Sequence, residues 1–562
     1  MQLMPHAWTR LLMFLRLTTS VSTLRLRTWW RLVREYGALR KVYESHARDG
    51  FFDYGAPSSS FEELAAHPAF LELAALRRTE NKNQVFFEAD FPVLPTYLPI
   101  EEGAAACLGI LGLASADLLQ LRNDDDDEVT VRVKQSDAGL STAGYMFLEV
   151  AKDGAYEGCD GFRATIAQEG TVNPTRRAYR CGDGSYVFLH GGFPKLKRGI
   201  LDFFRLGGSP TVERIAEATS RYKSGDELEA VMQARGLAVT KCRTPREWRA
   251  SAQGKAVAAL SGPLTVDEHA ASSSTRQKKT TQRLLKPGVR PLSDVIVVEF
   301  SHVIASPMVG RTLAEHGATV YKIFTPSRPR RFLFDEETNS GKIPLNLNLD
   351  SADDQQRLWD LLRVADVLVD GYTAGVLASK GFDLDDLARE CPHLVYLRVS
   401  CYGHVGPWAG HKGFQQNANF ATGIATVDDE ALLCYQLTSQ VDYTTGFLGA
   451  TAVILALTDR QLAAQRGDVA SLLVARTSLC QAATWMAKFG ARLPSRFDFT
   501  ARVSRLLFGC RGRMRHDGNL KYLPPALTMS PRGNPVRVAA FDRWWFVSHD
   551  PTKASSATNK AP

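Results

Sequence analysis

None of the nine cysteines sits in a C-x-x-C pair and the count is odd, so neither a zinc site nor a disulfide framework is signalled. A reducing compartment fits that usage. No stretch of about eighteen residues is continuously apolar, which argues against a membrane-spanning helix. The longest apolar stretches, 103–119 and 446–457, carry Gly, Thr or Ser and read as buried helices. No G-x-G-x-x-G and no P-loop follows the first regular strand, so a dinucleotide or nucleoside-triphosphate fingerprint is absent. Acid is missing from two places: residues 1–34 hold six Arg and no Asp or Glu, and residues 270–290 hold six basic residues and again no acid. The net charge of +8 is concentrated there, and the rest of the chain is slightly acidic. A nucleic-acid face needs its basic residues on a structured surface, so this distribution argues against one.

What is present is an ordinary globular balance over 562 residues, 44% apolar and 23% charged, with room for several domains. Residues 1–34, rich in Arg with interspersed Leu, Phe and Trp, suit a mitochondrial transit peptide, with a basic arm of a cytoplasmic protein as the alternative. Residues 1–84 are taken together as a leader and an uninformative segment. Residues 85–268 form the next unit. Within it, Glu101 to Arg122 reads as a helix with acids at its start and a base at its end. Val129, Val131 and Val133 alternate like a strand, and Tyr179 to Val187 reads as strand, Asp-Gly turn, strand. Residues 269–290 form a linker, and residues 491–562 lose periodicity and read as a partly disordered tail.

Residues 291–490 are the most regular. Val295–Phe300, Thr319–Ile323, Asp366–Asp370 and Leu394–Val399 are strands separated by helical patterns, which predicts an open α/β sheet of parallel strands. The helix–strand–helix pattern of 103–147 recurs at 446–489, which points to pseudo-duplicated halves. Two places could carry chemistry. The loop Ser400–Trp408 leaves the carboxyl end of a strand, where open sheets bind ligands, and Gly403 and Gly406 could let the backbone approach one. Asp442 precedes a helical pattern. It reads as an N-cap, or as a carboxylate able to attack an activated carbonyl and form a mixed anhydride.

These pieces line up with a known pattern. Pro291 to Pro307 with Leu313 to Ile323, Asn339 to Lys342 with Leu345 to Leu349, Asp366 to Tyr372 with Gly375 and Gly381, and Tyr402 to Pro407 resemble, in order and spacing, four motifs of the family III CoA-transferases. Residues 85–268 are similar to the family's later part, including its Tyr-Arg-x-x-Asp-Gly hairpin at Tyr179–Gly184, so the halves stand in rearranged order. The resemblance implies a Rossmann-like large domain at 291–490, a small α+β domain, and intertwined halves. It implies that Asp442 attacks an acyl-CoA thioester, and that Pro99 stands where the repeated unit would need a second carboxylate. It places coenzyme A along His302, Val303, Ile304 and Ala305, near Gly371 and Tyr372, under the Gly403–Gly406 loop, with Arg328, Arg330, Arg331, Lys342 and Lys380 as candidates for its phosphates. Coenzyme A would be a substrate, with no permanent cofactor and no metal. The partners implied are an acyl-CoA, a carboxylic acid, and a second copy of the chain or an intrachain pseudo-dimer. The alternatives are a non-catalytic CoA-binding relic and an acyl-CoA racemase or epimerase. The racemase branch carries a His beside its loop glycine, whereas Gly413 is followed here by Phe414 and Gln415.

Overall fold

The computed structural model describes residues 60–94, 96–152, 155–158, 173–207, 210–269, 283–325, 335, 337–425, 439–490, 502, 515–517, 520–522 and 526–531. The basic leader, Arg328, Arg330 and Arg331, and most of the linker and tail lie outside the described residues.

Seven strands build the large sheet: β1 (Leu264–His269), β2 (Ile296–Phe300), β3 (Thr319–Phe324), β4 (Lys342–Asn346), β5 (Val367–Asp370), β6 (Val395–Ser400) and β7 (Leu472–Ser478). Their spatial order is β4-β3-β2-β5-β6-β7-β1. Every neighbouring pair is parallel except β7 with β1. The chain runs outward from β2 in one direction through β3 and β4, then returns to β5 on the other side of β2. That reversal makes a crevice at the carboxyl ends of β2 and β5, the place where such sheets hold ligands. Phe300 and Asp370 pair there.

Both faces are covered, which is why the strands read as apolar runs without alternation. Val297, Val369 and Leu397 face a core shared with helices Ala305–Glu315, Gln440–Arg466 and Ile100–Asn123. Val298, Leu368 and Tyr396 face Leu358, Leu362 and Leu387 of helices Ala352–Val364 and Leu384–Glu390. A buried pair ties the first layer to the sheet. Arg460 Nη2 donates to Asp366 Oδ1 at 2.8 Å, and Asp366 Oδ2 accepts the Ile296 N–H at 2.9 Å.

Helices Ile100–Asn123 and Gln440–Arg466 pack against each other. By length and composition both could cross a membrane, but 89% and 94% of their apolar windows are buried against protein. Each is followed by a strand and a helix, Val129–Lys134 with Gln135–Ser141 and β7 with Leu479–Ala487. The two strands end in different sheets. Val129–Lys134 pairs in parallel with Gln84–Glu88 and antiparallel with Leu527–Pro531. Within the segment expected to be a partly disordered tail, 527–531 is therefore a paired strand, whose Met529 is buried. A third sheet, antiparallel, holds Arg176–Arg180, Tyr186–His190 and Val239–Lys241. Its hairpin turns at Cys181–Ser185, where Gly184 takes φ +86°. Helices Pro194–Phe203, Val212–Ser220 and Gly225–Gln233 contribute to that sheet's own core.

Candidate active site

The turn after β2 is strained. Val303 adopts φ +75°, a region that a β-branched side chain normally avoids at a cost of about 1–3 kcal/mol. The turn feeds helix Ala305–Glu315. His302, Val303 and Ala305 are partly exposed at the crevice, but Ile304 is 2% exposed and points into the core. Of the four residues expected along coenzyme A, Ile304 could therefore contribute only its backbone. Gly371 ends β5 against this turn. Its N–H donates to Phe300 O at 2.8 Å, and a Cβ there would stand 2.1 Å from Ser306 Oγ. Its bareness serves helix packing. Tyr372 lies edge-on to Phe300 at 5.8 Å and is buried, so its ring belongs to the core and not to a stacking surface.

Asp442 is not an N-cap. The helix runs Gln440–Arg466 with Ser439 at the cap, so Asp442 is its third residue, inside the positive end of the dipole. Its backbone N–H donates to Gln415 Oε1 at 3.0 Å. Its carboxylate is partly exposed and makes no hydrogen bond or ion pair among the described residues. Burial pushes its pKa up to about 7, and the Arg176 guanidinium opposes that shift. One turn along, Gly446 lets the helix touch the turn after β2: a Cβ there would stand 2.5 Å from Met308 Cβ and 3.1 Å from Ala305 O. That close crossing brings Asp442 to the crevice. The neighbouring Tyr443 donates its hydroxyl to Glu337 Oε2 at 2.9 Å and accepts the Tyr145 N–H at 3.0 Å. Glu337 is also paired with Arg311.

Two further expectations are corrected by position. Lys342 is 2% exposed. Its ammonium lies 2.8 Å from Glu299 Oε2 and donates to Pro307 O at 2.6 Å, while Lys322 approaches the same carboxylate at 2.9 Å. Burial pulls the Lys342 pKa down to about 7. It is a structural tie under the crevice, sealed from any phosphate. Gly403 and Gly406 take φ +109° and +81°, but what they approach is protein. A Cβ on Gly406 would meet Gln253 Oε1 at 2.6 Å and Ala256 Cβ at 2.8 Å. Gln253 clamps this loop, donating to Tyr402 O and Val405 O at 2.9 and 2.8 Å and accepting the Trp408 N–H at 2.8 Å. His404 holds the carbonyls of Arg398 and Thr477, each at 3.1 Å, and burial lowers its pKa to about 4. Lys380 is partly exposed, in a pair with Asp350.

The residues that sequence reasoning missed come from the small sheet. Phe193, just beyond its central strand, packs against His302 at 5.4 Å and stacks on Phe414 at 5.0 Å. His190 stacks on Phe414 from the same side at 4.2 Å. This aromatic stack joins the small sheet to the strained turn and to Gln415. Arg176 faces His190 across the hairpin, is exposed, and makes no hydrogen bond or ion pair among the described residues. Two consecutive Arg at a strand start were the only sequence signal for it.

The site thus sets a carboxylate without a hydrogen-bonding partner among the described residues near a strained strand–helix turn of a parallel sheet. Residues 292–501 match CoA-transferase family III. The chain is 37% identical over 179 residues to an acetyl-coenzyme A transferase of Hypoxylon pulicicidum, covering 30% of each. It is 26% identical over 391 residues to an acyl-CoA transferase of Gibberella moniliformis, covering 65% of each. A crystal structure of a Mycobacterium tuberculosis protein, Rv3272, matches at 27% identity over 35% of this chain and 57% of that one, with a TM-score of 0.30. The chain thus spans less than two thirds of the length of each of these relatives.

Proposed function

We propose that the protein moves coenzyme A from an acyl-CoA donor to a carboxylic acid through an acyl anhydride on Asp442. The observation that carries this reading is the Asp442 carboxylate itself, partly exposed and without a hydrogen-bonding partner among the described residues. A carboxylate tied into a structural network would be expected to show such partners, as Glu299 does.

In this mechanism Asp442 Oδ attacks the thioester carbonyl, the carbon–sulfur bond breaks, and the CoA thiolate leaves. The acceptor carboxylate then attacks the aspartyl carbonyl of the anhydride and releases the donor acid. The thiolate returns to the new acyl carbon, frees Asp442 and completes the exchange. The raised pKa makes the ionised carboxylate a better nucleophile, and the helix dipole offsets part of the cost of ionising it. Coenzyme A would lie along the turn at His302, Val303 and Ala305, with Lys380 and the arginines Arg328 and Arg330 as candidates for its phosphates. The relatives named for acyl-CoA and acetyl-CoA transfer support this chemistry. For residues 1–34 a mitochondrial targeting role remains our proposal, on their composition.

The test is hydroxylamine trapping on incubation with acetyl-, propionyl- and succinyl-CoA. The wild type should yield a hydroxamate at Asp442, and Asp442→Ala should yield none while still binding CoA. Labelled CoA exchange that survives Asp442→Ala refutes the mechanism. Deuterium wash-in at the alpha carbon without trapping would favour the racemase alternative.

A further inference from the structure

We infer that Arg176 is the docking residue for the carboxylate of the incoming acid. This rests on the anhydride reading above and adds the group that recognises the second substrate.

Arg176 opens the edge strand of the small sheet, opposite His190. Its side-chain stem runs over Gly192, where a Cβ would lie 3.7 Å from Arg176 Cδ and 2.9 Å from His190 Cε1. The His190 ring stacks on Phe414 at 4.2 Å, and the next residue, Gln415, accepts the Asp442 N–H at 3.0 Å. The small sheet therefore borders the segment that holds the nucleophile, and Arg176 stands on that sheet. The exposed guanidinium makes no ion pair or hydrogen bond among the described residues. By contrast, Arg243, Arg311 and Arg460 are each engaged: with Glu229, with Glu315 and Glu337, and with Asp366. Arg176 does act on Asp442 through space, holding its carboxyl below where burial alone would leave it.

The chemistry explains why such a cation would have no pair among the described residues. In the resting enzyme, above about pH 7, its charge acts on an ionised Asp442. Once Asp442 is acylated, that charge is gone and the guanidinium faces a neutral anhydride. A second carboxylate can then take the counter-ion position, with the planar fork suited to two parallel N–H···O bonds. From there one oxygen of the acid forms a bond to the aspartyl carbonyl carbon, and the donor carboxylate departs with the electron pair of the broken carbon–oxygen bond. The departing acid carries the same charge past the same residue. The reacting group of acyl-CoA is a neutral thioester and offers Arg176 no carboxylate to pair with, so docking by the guanidinium belongs to the second half-reaction.

The experiment forms the radiolabelled acyl-enzyme from the acyl-CoA that traps best, then follows its discharge by acetate, propionate, succinate, oxalate and benzoate. In Arg176→Gln the acyl-enzyme should still form and trap at a pH high enough to ionise Asp442 without the guanidinium, and discharge is compared there. The concentration of the best acid needed for half-maximal discharge should rise by about 10- to 100-fold, the effect of losing a charge-assisted pair. Arg176→Lys should recover part of it. Unchanged acid dependence in Arg176→Gln, or a wild-type acyl-enzyme that no acid of the panel discharges, overturns the assignment and leaves the anhydride reading standing. A wild type that traps no acyl group overturns both.

Discussion

Replacing Gly446 by alanine should slow acylation of Asp442 far more than it destabilises the protein. The new Cβ would stand 2.5 Å from Met308 Cβ and 3.1 Å from Ala305 O. Carbon pairs settle at about 3.5–4.0 Å, so helices Gln440–Arg466 and Ala305–Glu315 must separate by about 1 Å. Met308 offers no easy relief, because the atom struck is its Cβ and not the flexible end. Overpacking of this kind costs about 1–3 kcal/mol. Alanine in place of a helical glycine returns about 1 kcal/mol. The net loss of stability is then at most about 2 kcal/mol. The same displacement moves Asp442, one turn away, relative to a thioester lying along His302 to Ala305. A misplacement of about 1 Å costs on the order of 100-fold in rate. Rapid-quench measurement of acyl-enzyme formation reads the rate, and urea unfolding reads the stability. Gly410→Ala is the comparator, since a Cβ there meets nothing within 4 Å. If Gly446→Ala acylates at the wild-type rate, the close crossing does not position the nucleophile and the argument fails.

Asp442→Asn should be more stable than the wild type above pH 7. The folded pKa of about 7 lies above that of an exposed aspartate, so ionisation weakens the folded state as pH rises through that interval. The gain should be on the order of 1–3 kcal/mol at pH 8 and vanish near pH 4, where both side chains are neutral; urea titrations at the two pH values check it. The acylation rate of the wild type should rise with pH through about 7 as Asp442 ionises. Glu299→Gln removes the carboxylate that neutralises Lys322 and Lys342, leaving two buried ammonium groups without their counter-ion. Breaking such a site should cost about 3–5 kcal/mol in chemical denaturation.

Much of the large sheet could be read in the chain, and for a physical reason. Parallel strands covered on both faces must be nearly all apolar, and their connecting helices must show a repeating face. Val295 to Val399 satisfies both conditions, and the parallel pairing of β2, β3, β5 and β6 follows. Asp442 could be singled out through its motif context, although its place inside the first turn could not. What sequence leaves hidden is burial and long-range approach. Lys342 looks like any phosphate-binding lysine until Glu299 and Pro307 are seen around its ammonium. Gly403 and Gly406 look open until Gln253 and Ala256 are placed against them. Arg176 and Phe193 lie more than a hundred residues before the strained turn at Val303, and no local pattern links them to it. Val303 was hidden for the opposite reason: a β-branched residue is the last type expected at positive φ.

The antiparallel strand β1 has a bearing on how the molecule is made. It leaves the ribosome about two hundred residues before β7, the strand it pairs with, and Ile100–Asn123 precedes its partner helix Gln440–Arg466 by more than three hundred. At roughly 5–20 residues per second, the first apolar helix waits on the order of 15–60 s for its match. During synthesis the nascent front half is therefore a sticky surface in search of its own sequel, and shielding by chaperones would matter most in that interval.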